Sequence, residues 1–178
     1  MRAATPRLPG RATAGHTAPP APATGAELAA LVGLAARTGA RSVVLGSGRD
    51  QAARESAARF ARAWEEAGGA VLDTVSWPEE AASWLRQARR LTCPEPDLWV
   101  LGGAAAGLAQ MIRRLAWSTP WTPRRTLALG AAAVRAGRLA GADLAEGMRG
   151  AHPDGALWRI TGGGVSPLHP LAAERGPR

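Results

Sequence analysis

Residues 41–77, RSVVLGSGRDQAARESAARFARAWEEAGGAVLDTVSW, constrain the fold more than any other part of this chain. A short apolar run over residues 42–45 ends at Gly46 and Gly48. A long amphipathic run follows, then Gly68-Gly69, then a second β-prone run over residues 71–77. Strand, tight turn, helix, glycine stop and strand make one βαβ unit. In its helix Ala53, Ala57, Phe60, Ala61 and Trp64 recur at helical spacing and form one apolar stripe. Asp50 stands where a carboxylate accepts from the free N–H groups of a first turn. A right-handed crossover then sets the two strands parallel with the helix on one face.

The rest of the chain repeats the alternation. Residues 27–38 read as a helix with Leu28, Leu31, Val32 and Ala35 on one face and Gly39 as its stop. After the central unit, Pro78, Glu79 and Glu80 open a helix whose buried face is Ala82, Leu85, Ala88 and Leu91, with Trp84 beside it. Residues 97–101 (DLWVL) are continuously apolar after the first residue, as in a parallel strand covered on both faces. Residues 104–117 form the next helix, with Leu108, Met111, Ile112 and Leu115 inward; residues 126–129 form a further strand. Residues 131–139 read as a short helix and residues 143–150 as a last edge strand or turn.

This pattern predicts an α/β fold: a doubly wound, mostly parallel sheet of four to five strands with helices on both faces. Three segments are expected: an extended or disordered leader over residues 1–25, which holds five prolines; an α/β lobe over 26–150; and an irregular segment over 151–178 with a Gly162-Gly163-Gly164 run.

Charge and composition exclude several functions. The formal charge is +8, yet all 22 basic residues are arginine, and lysine, asparagine and tyrosine are absent. That bias matches codon usage in a GC-rich bacterium. Three arginines without an acid lie in residues 1–25, while residues 26–147 carry 15 arginines against 12 acids. With no basic stripe and no interleaved aromatics, nucleic acid is not an expected partner. No apolar run is long enough to span a membrane. One cysteine, Cys93, excludes an internal disulfide and a CxxC metal knuckle. His16, His152 and His169 have no ligand spacing, so no metal and no cofactor is expected. Ser47 lacks a GxSxG context, and no catalytic residue is assigned. The chain is expected to be no enzyme.

Four segments resemble the second lobe of type 1 periplasmic solute-binding proteins, in particular the leucine/branched-chain amino-acid-binding family of ABC importers. They are HTAPPAPATGAELAALVGLAARTGARSVVLG, RFARAWEEAGGAVLDTVSWP, PDLWVLGGAAAGLAQMIRRLAW and AGADLAEGM, in the family's order over residues 16–150. The resemblance implies amino-acid transport: a Rossmann-like lobe that binds an amino acid or related small polar solute, works with a first lobe and an ABC permease, and is periplasmic. The first residues hold arginines but no apolar stretch, so as written they are not a secretory signal, and a chain starting there is expected to stay cytoplasmic. A first lobe is likewise absent from the sequence as written, so the chain is expected to be truncated or degenerate.

In open α/β sheets ligands sit at the carboxyl ends of the strands. The candidate ligand-binding residues are therefore Ser47, Gly48, Arg49, Trp77, Gly103, Ala104 and Ala131. Where the family carries an acid-rich turn, Tyr-Gly and polar ligand contacts, this chain has Ala52 and Ala53, Ala104 to Ala106 and Ala131 to Ala133. Two alternatives stay open. Gly46-x-Gly48 followed by Asp73 is compatible with a nucleotide- or dinucleotide-binding module or enzyme using residues 46–50, although Gln51 replaces the third glycine. A stand-alone protein-interaction domain is the other, with Trp77, Trp117 and Trp121 as contact candidates and a homo-oligomer as one form of it.

Overall fold

The computed structural model describes residues 21–162 and 164–168. Helices α1 (Gly25–Arg37), α2 (Gln51–Glu66), α3 (Leu85–Thr92), α4 (Ala105–Ser118) and α5 (Ala133–Ala140) alternate with strands β1 (Ser42–Gly48), β2 (Ala70–Trp77), β3 (Leu98–Gly102), β4 (Thr126–Leu129) and β5 (Arg149–Ala151). Strands β6 (Leu157–Thr161) and β7 (Gly164–Pro167) follow. The sheet order is β2-β1-β3-β4-β5-β6-β7. The pairs from β2 through β5 are parallel; β6 and β7 add antiparallel strands.

Side-chain alternation divides the core into two layers. Val43, Leu45, Val100 and Leu127 point toward α1 and α2, where Leu31, Phe60 and Trp64 cover them. Val44, Trp99, Leu101 and Ala128 point the other way, against Leu91 of α3, Leu108, Met111, Ile112 and Leu115 of α4, and Ala133 and Ala136 of α5. The apolar stripe of α2 is buried as its spacing predicts, with Ala53, Ala57, Phe60 and Trp64 inside. Gly68, at φ 85°, ends that helix in the left-handed conformation.

The structure corrects the expected map in five places. The first strand does not stop at Leu45 but runs through Gly48, because Gly46, Ser47 and Gly48 pair with Val75, Ser76 and Trp77 of β2. Helix α3 begins at Leu85 rather than at Pro78. Residues 78–84 form an irregular loop, held by the Trp84 Nε1–H to Pro78 O bond (3.0 Å), and Ala82 is exposed. Residues 149–151 form an interior strand between β4 and β6, not an edge. Residues 157–161 and 164–167 are not irregular: the LWRIT run buries Trp158 and Ile160 and pairs with β7, so among the described residues the sheet has seven strands instead of four to five. The expected leader boundary at 25 is too late. Ala23 is buried, its N–H donates to Ser56 Oγ (2.8 Å) and its carbonyl accepts from Arg59 (2.7 Å). Residues 1–20, His16 among them, and His169 lie outside the described residues.

Edge strand β2 carries one irregularity. Val43 pairs with Val71 and Val44 with Asp73, so Leu72 is left unpaired in a bulge and is 45% exposed.

Candidate functional site at the strand ends

The carboxyl ends of β1 and β3 meet closely. A Cβ added to Gly103 would lie 3.0 Å from the Gly48 nitrogen, and one added to Gly48 would lie 3.3 Å from the Gly103 Cα. Glycine at both positions is what lets these backbones approach. Ala104, half-buried, follows as the N-cap residue of α4 and offers no side-chain acceptor. Arg49 and Ala131 are exposed at the ends of β1 and β4.

Two of the expected ligand contacts are buried at the strand ends. Trp77 is fully buried, with its ring against Gly46, where a Cβ would come within 2.8 Å of it. It belongs to the core cluster of Leu91, Leu101 and Leu108, and its ring reaches beneath Gly103 without being exposed. Ser47 is also buried. Of the three tryptophans read as contact candidates, Trp121 is buried as well, and only Trp117 is exposed, at 48%, with the Arg113 guanidinium 4.9 Å from its ring centroid.

Two backbone donors at this end of the sheet, the N–H groups of Gly107 and Gly130, are taken by the chain's own carboxylates. Ala104 cannot cap α4, and Glu79 from the 78–84 loop supplies the acceptor: its Oε2 accepts from the Gly107 N–H at 3.0 Å. Glycine at 107 leaves room for that oxygen, because a Cβ there would fall 2.3 Å from it and displace the carboxylate. At the end of β4, Glu27 Oε1 accepts from the Gly130 N–H at 2.7 Å. Glu27 sits in a capping arrangement at the start of α1, where Thr24 Oγ1 accepts from the Glu27 N–H at 3.1 Å.

Both carboxyls are pushed above the ordinary glutamate range, chiefly by burial. For Glu27, the Gly130 and Thr24 backbone groups and nearby His152 act in the opposite direction. For Glu79, the Gly107 N–H opposes the rise, while the charge of Asp50 adds to it. Neither glutamate was singled out as a site residue in the sequence. Glu79 read as a first-turn acid of α3. The available signal was an acid just past a strand end, opposite a helix that starts on alanine and has glycine at its third position.

The nucleotide alternative meets two obstacles. Asp50 Oδ1 accepts from the Ala53 N–H (2.8 Å), so a carboxylate already fills the α2 N-terminus where a pyrophosphate would sit. Asp73 lies in the middle of β2 rather than near its end, bound by Arg90 through Nε (2.9 Å) and Nη2 (2.6 Å). Among the described residues no group of three or more metal-ligating side chains occurs, and no helix is long and apolar enough to cross a membrane.

No family model matches the chain, and no curated protein does. Solved structures do match. A substrate-binding periplasmic protein from Ralstonia solanacearum superposes with a TM-score of 0.63 at 18% identity, over 75% of this chain and 38% of that one. A leucine-binding protein from Thermotoga maritima gives 0.59 at 20% identity, over 69% and 35%. An ABC transporter substrate-binding protein from Sphaerobacter thermophilus gives 0.56 at 24%, over 71% and 35%. The fold is that of a type 1 periplasmic-binding-protein lobe. The chain spans about a third of the length of these proteins.

Proposed function

We propose that this chain is a non-enzymatic domain of the ABC-importer solute-binding type, derived from a lobe that takes an amino acid or related small polar solute, and that the lobe alone no longer grips such a solute. The observation that carries this reading is the occupation of the strand-end donors. The N–H groups of Gly107 and Gly130 are bonded to Glu79 and Glu27, and Ala104 and Ala131 stand where side-chain contacts would reach out. At those two groups a solute carboxylate meets glutamates rather than free donors. The fold, shared with proteins described as leucine-binding and as branched-chain amino-acid periplasmic proteins, supports the solute class. Full grip in this reading needs a second lobe closing over the first, with an ABC permease as the downstream partner and a periplasmic site of action.

Calorimetric titration of the chain with leucine, isoleucine, valine and glutamate tests the proposal. The expected result is no saturable heat at millimolar ligand. Micromolar binding by the lobe alone, about −8 kcal/mol, would overturn it. Parallel titrations with NAD and ATP are expected to be silent as well.

A further inference from the structure

Glu79 and Asp50 leave a chemical problem at the strand-end crevice. Glu79 Oε1 and Asp50 Oδ2 are both shut off from solvent without a hydrogen-bond partner. Both converge on one place: a Cβ on Gly48 would lie 2.8 Å from the first and 2.9 Å from the second. The other oxygen of each carboxylate is already used, Glu79 Oε2 on Gly107 of α4 and Asp50 Oδ1 on Ala53 of α2. Each orphan oxygen is an acceptor, and the pair lacks a donor. The charged group acting on Glu79 is Asp50 itself, which adds to its rise, and the Gly48 backbone of β1 lies beside both oxygens.

We propose that Glu79 carries a proton on Oε1, donates it to Asp50 Oδ2, and thereby latches the 78–84 loop across the strand ends as a pH-sensitive closure. With the proton in place, Oε1 becomes a donor, Asp50 Oδ2 is satisfied, and Oε2 still accepts from Gly107. The latch then joins the β1–α2 turn, the β2–α3 loop and the first turn of α4. When the proton leaves, two carboxylates face each other in a partly dry site with no donor between them. The element free to relieve the repulsion is the irregular loop that carries Glu79, because Asp50 is fixed as the α2 cap. Its departure uncovers the Gly107 N–H and the Gly48–Gly103 seam. Burial and the Asp50 charge together outweigh the Gly107 hydrogen bond and hold the Glu79 carboxyl above its ordinary value.

The test follows two site-specific signals by NMR as pH is raised from acid to neutral: the Glu79 side-chain carboxyl carbon and the exchange protection of the Gly107 amide, corrected for base catalysis. The expected result is a Glu79 titration above the ordinary glutamate range, with Gly107 protection falling at least tenfold across that same titration. Glu79→Gln, whose amide donates permanently, is expected to keep Gly107 protected at every pH. Asp50→Asn retains a cap for α2 and removes the repulsion, and is expected to move the Glu79 titration down and extend Gly107 protection to higher pH. A Glu79 carbon that titrates in the ordinary range, or Gly107 protection indifferent to that titration, would overturn the latch. So would an Asp50→Asn chain in which the Glu79 titration is unmoved, a readout that stands even where Glu79→Gln fails to fold.

Discussion

Glu27 and Gly130, 103 residues apart in sequence, are joined by a 2.7 Å hydrogen bond that ties the start of α1 to the end of β4. The glutamate is 2% exposed while Gly130 is half-buried, so removing the carboxylate deletes one bond but leaves the N–H within reach of water. Glu27→Ala is expected to cost about 0.5–1.5 kcal/mol, the net worth of one hydrogen bond, read from urea midpoints. The pH dependence has a definite sign. A carboxyl raised by burial contributes stability that is present below its unfolded value and lost as pH rises through its higher folded value. Glu27→Gln should therefore flatten the decline in thermal midpoint between acid and neutral pH.

Asp97 is expected to act in the opposite direction. Its Oδ2 accepts from the Arg41 N–H (2.8 Å), the Ser42 N–H (2.9 Å) and the Ser42 hydroxyl (3.0 Å), clamping the starts of β1 and β3. The Arg41 and Ser42 backbone bonds hold its carboxyl below the ordinary range. Its contribution is present above the unfolded value and lost as pH falls through the folded one. Asp97→Asn should lower the midpoint at neutral pH and leave it little changed in strong acid.

Gly107→Ala should change sign with its background. In the native chain the new Cβ collides with Glu79 Oε2 and expels it from the α4 N-terminus, which is expected to destabilise. Once Glu79→Ala has removed that side chain, the same change only improves helix propensity and should stabilise by about 0.5–1 kcal/mol. A double-mutant cycle measured by urea unfolding reads the coupling directly.

Ala104→Ser adds a side-chain acceptor at an N-cap that has none, with φ −61° and ψ 146° already suited to capping. It is expected to be neutral or to stabilise by up to ~1 kcal/mol, with the larger gain when Glu79 is absent. Phe60→Ala, in the α1–α2 layer, should cost about 3–5 kcal/mol. The two urea midpoints set the crevice against the core.

Truncation locates the true start of the lobe. Compared with a chain beginning at Ala21, one beginning at Gly25 loses the Thr24 cap and both Ala23 bonds. A loss of about 1–2 kcal/mol is expected from the cap alone, measured as a lower urea midpoint.

What could be read from the sequence was what is encoded locally. The β1-α2-β2 unit was legible because Asp50, the Ala53–Phe60–Trp64 stripe and Gly68 each mark their own part of it. The four-residue spacings of α4 likewise marked Leu108, Met111, Ile112 and Leu115 as core. The late start of α3 was not legible, because Glu79 is drawn away by an N–H that lies 28 residues further on. Trp77 misled through position: a strand end suggests the crevice, but only the third dimension shows Gly46 making room for the indole. Strands β6 and β7 were hidden by glycines and prolines that mark their turns rather than an absence of structure. The two glutamates bonded at the ends of the sheet were not legible, since neither belongs to a strand there.

The bulge at Leu72 bears on how this sheet can grow. Among the described residues β2 ends the sheet, and an edge strand is a template for another chain. With Leu72 out of step, the groups before and after it no longer share one register. A straight strand arriving from outside can pair with Ala70 and Val71 or with the stretch from Asp73 onward, but not continuously with both. The misfit that leaves a leucine in water thus also limits runaway stacking of one molecule upon the next.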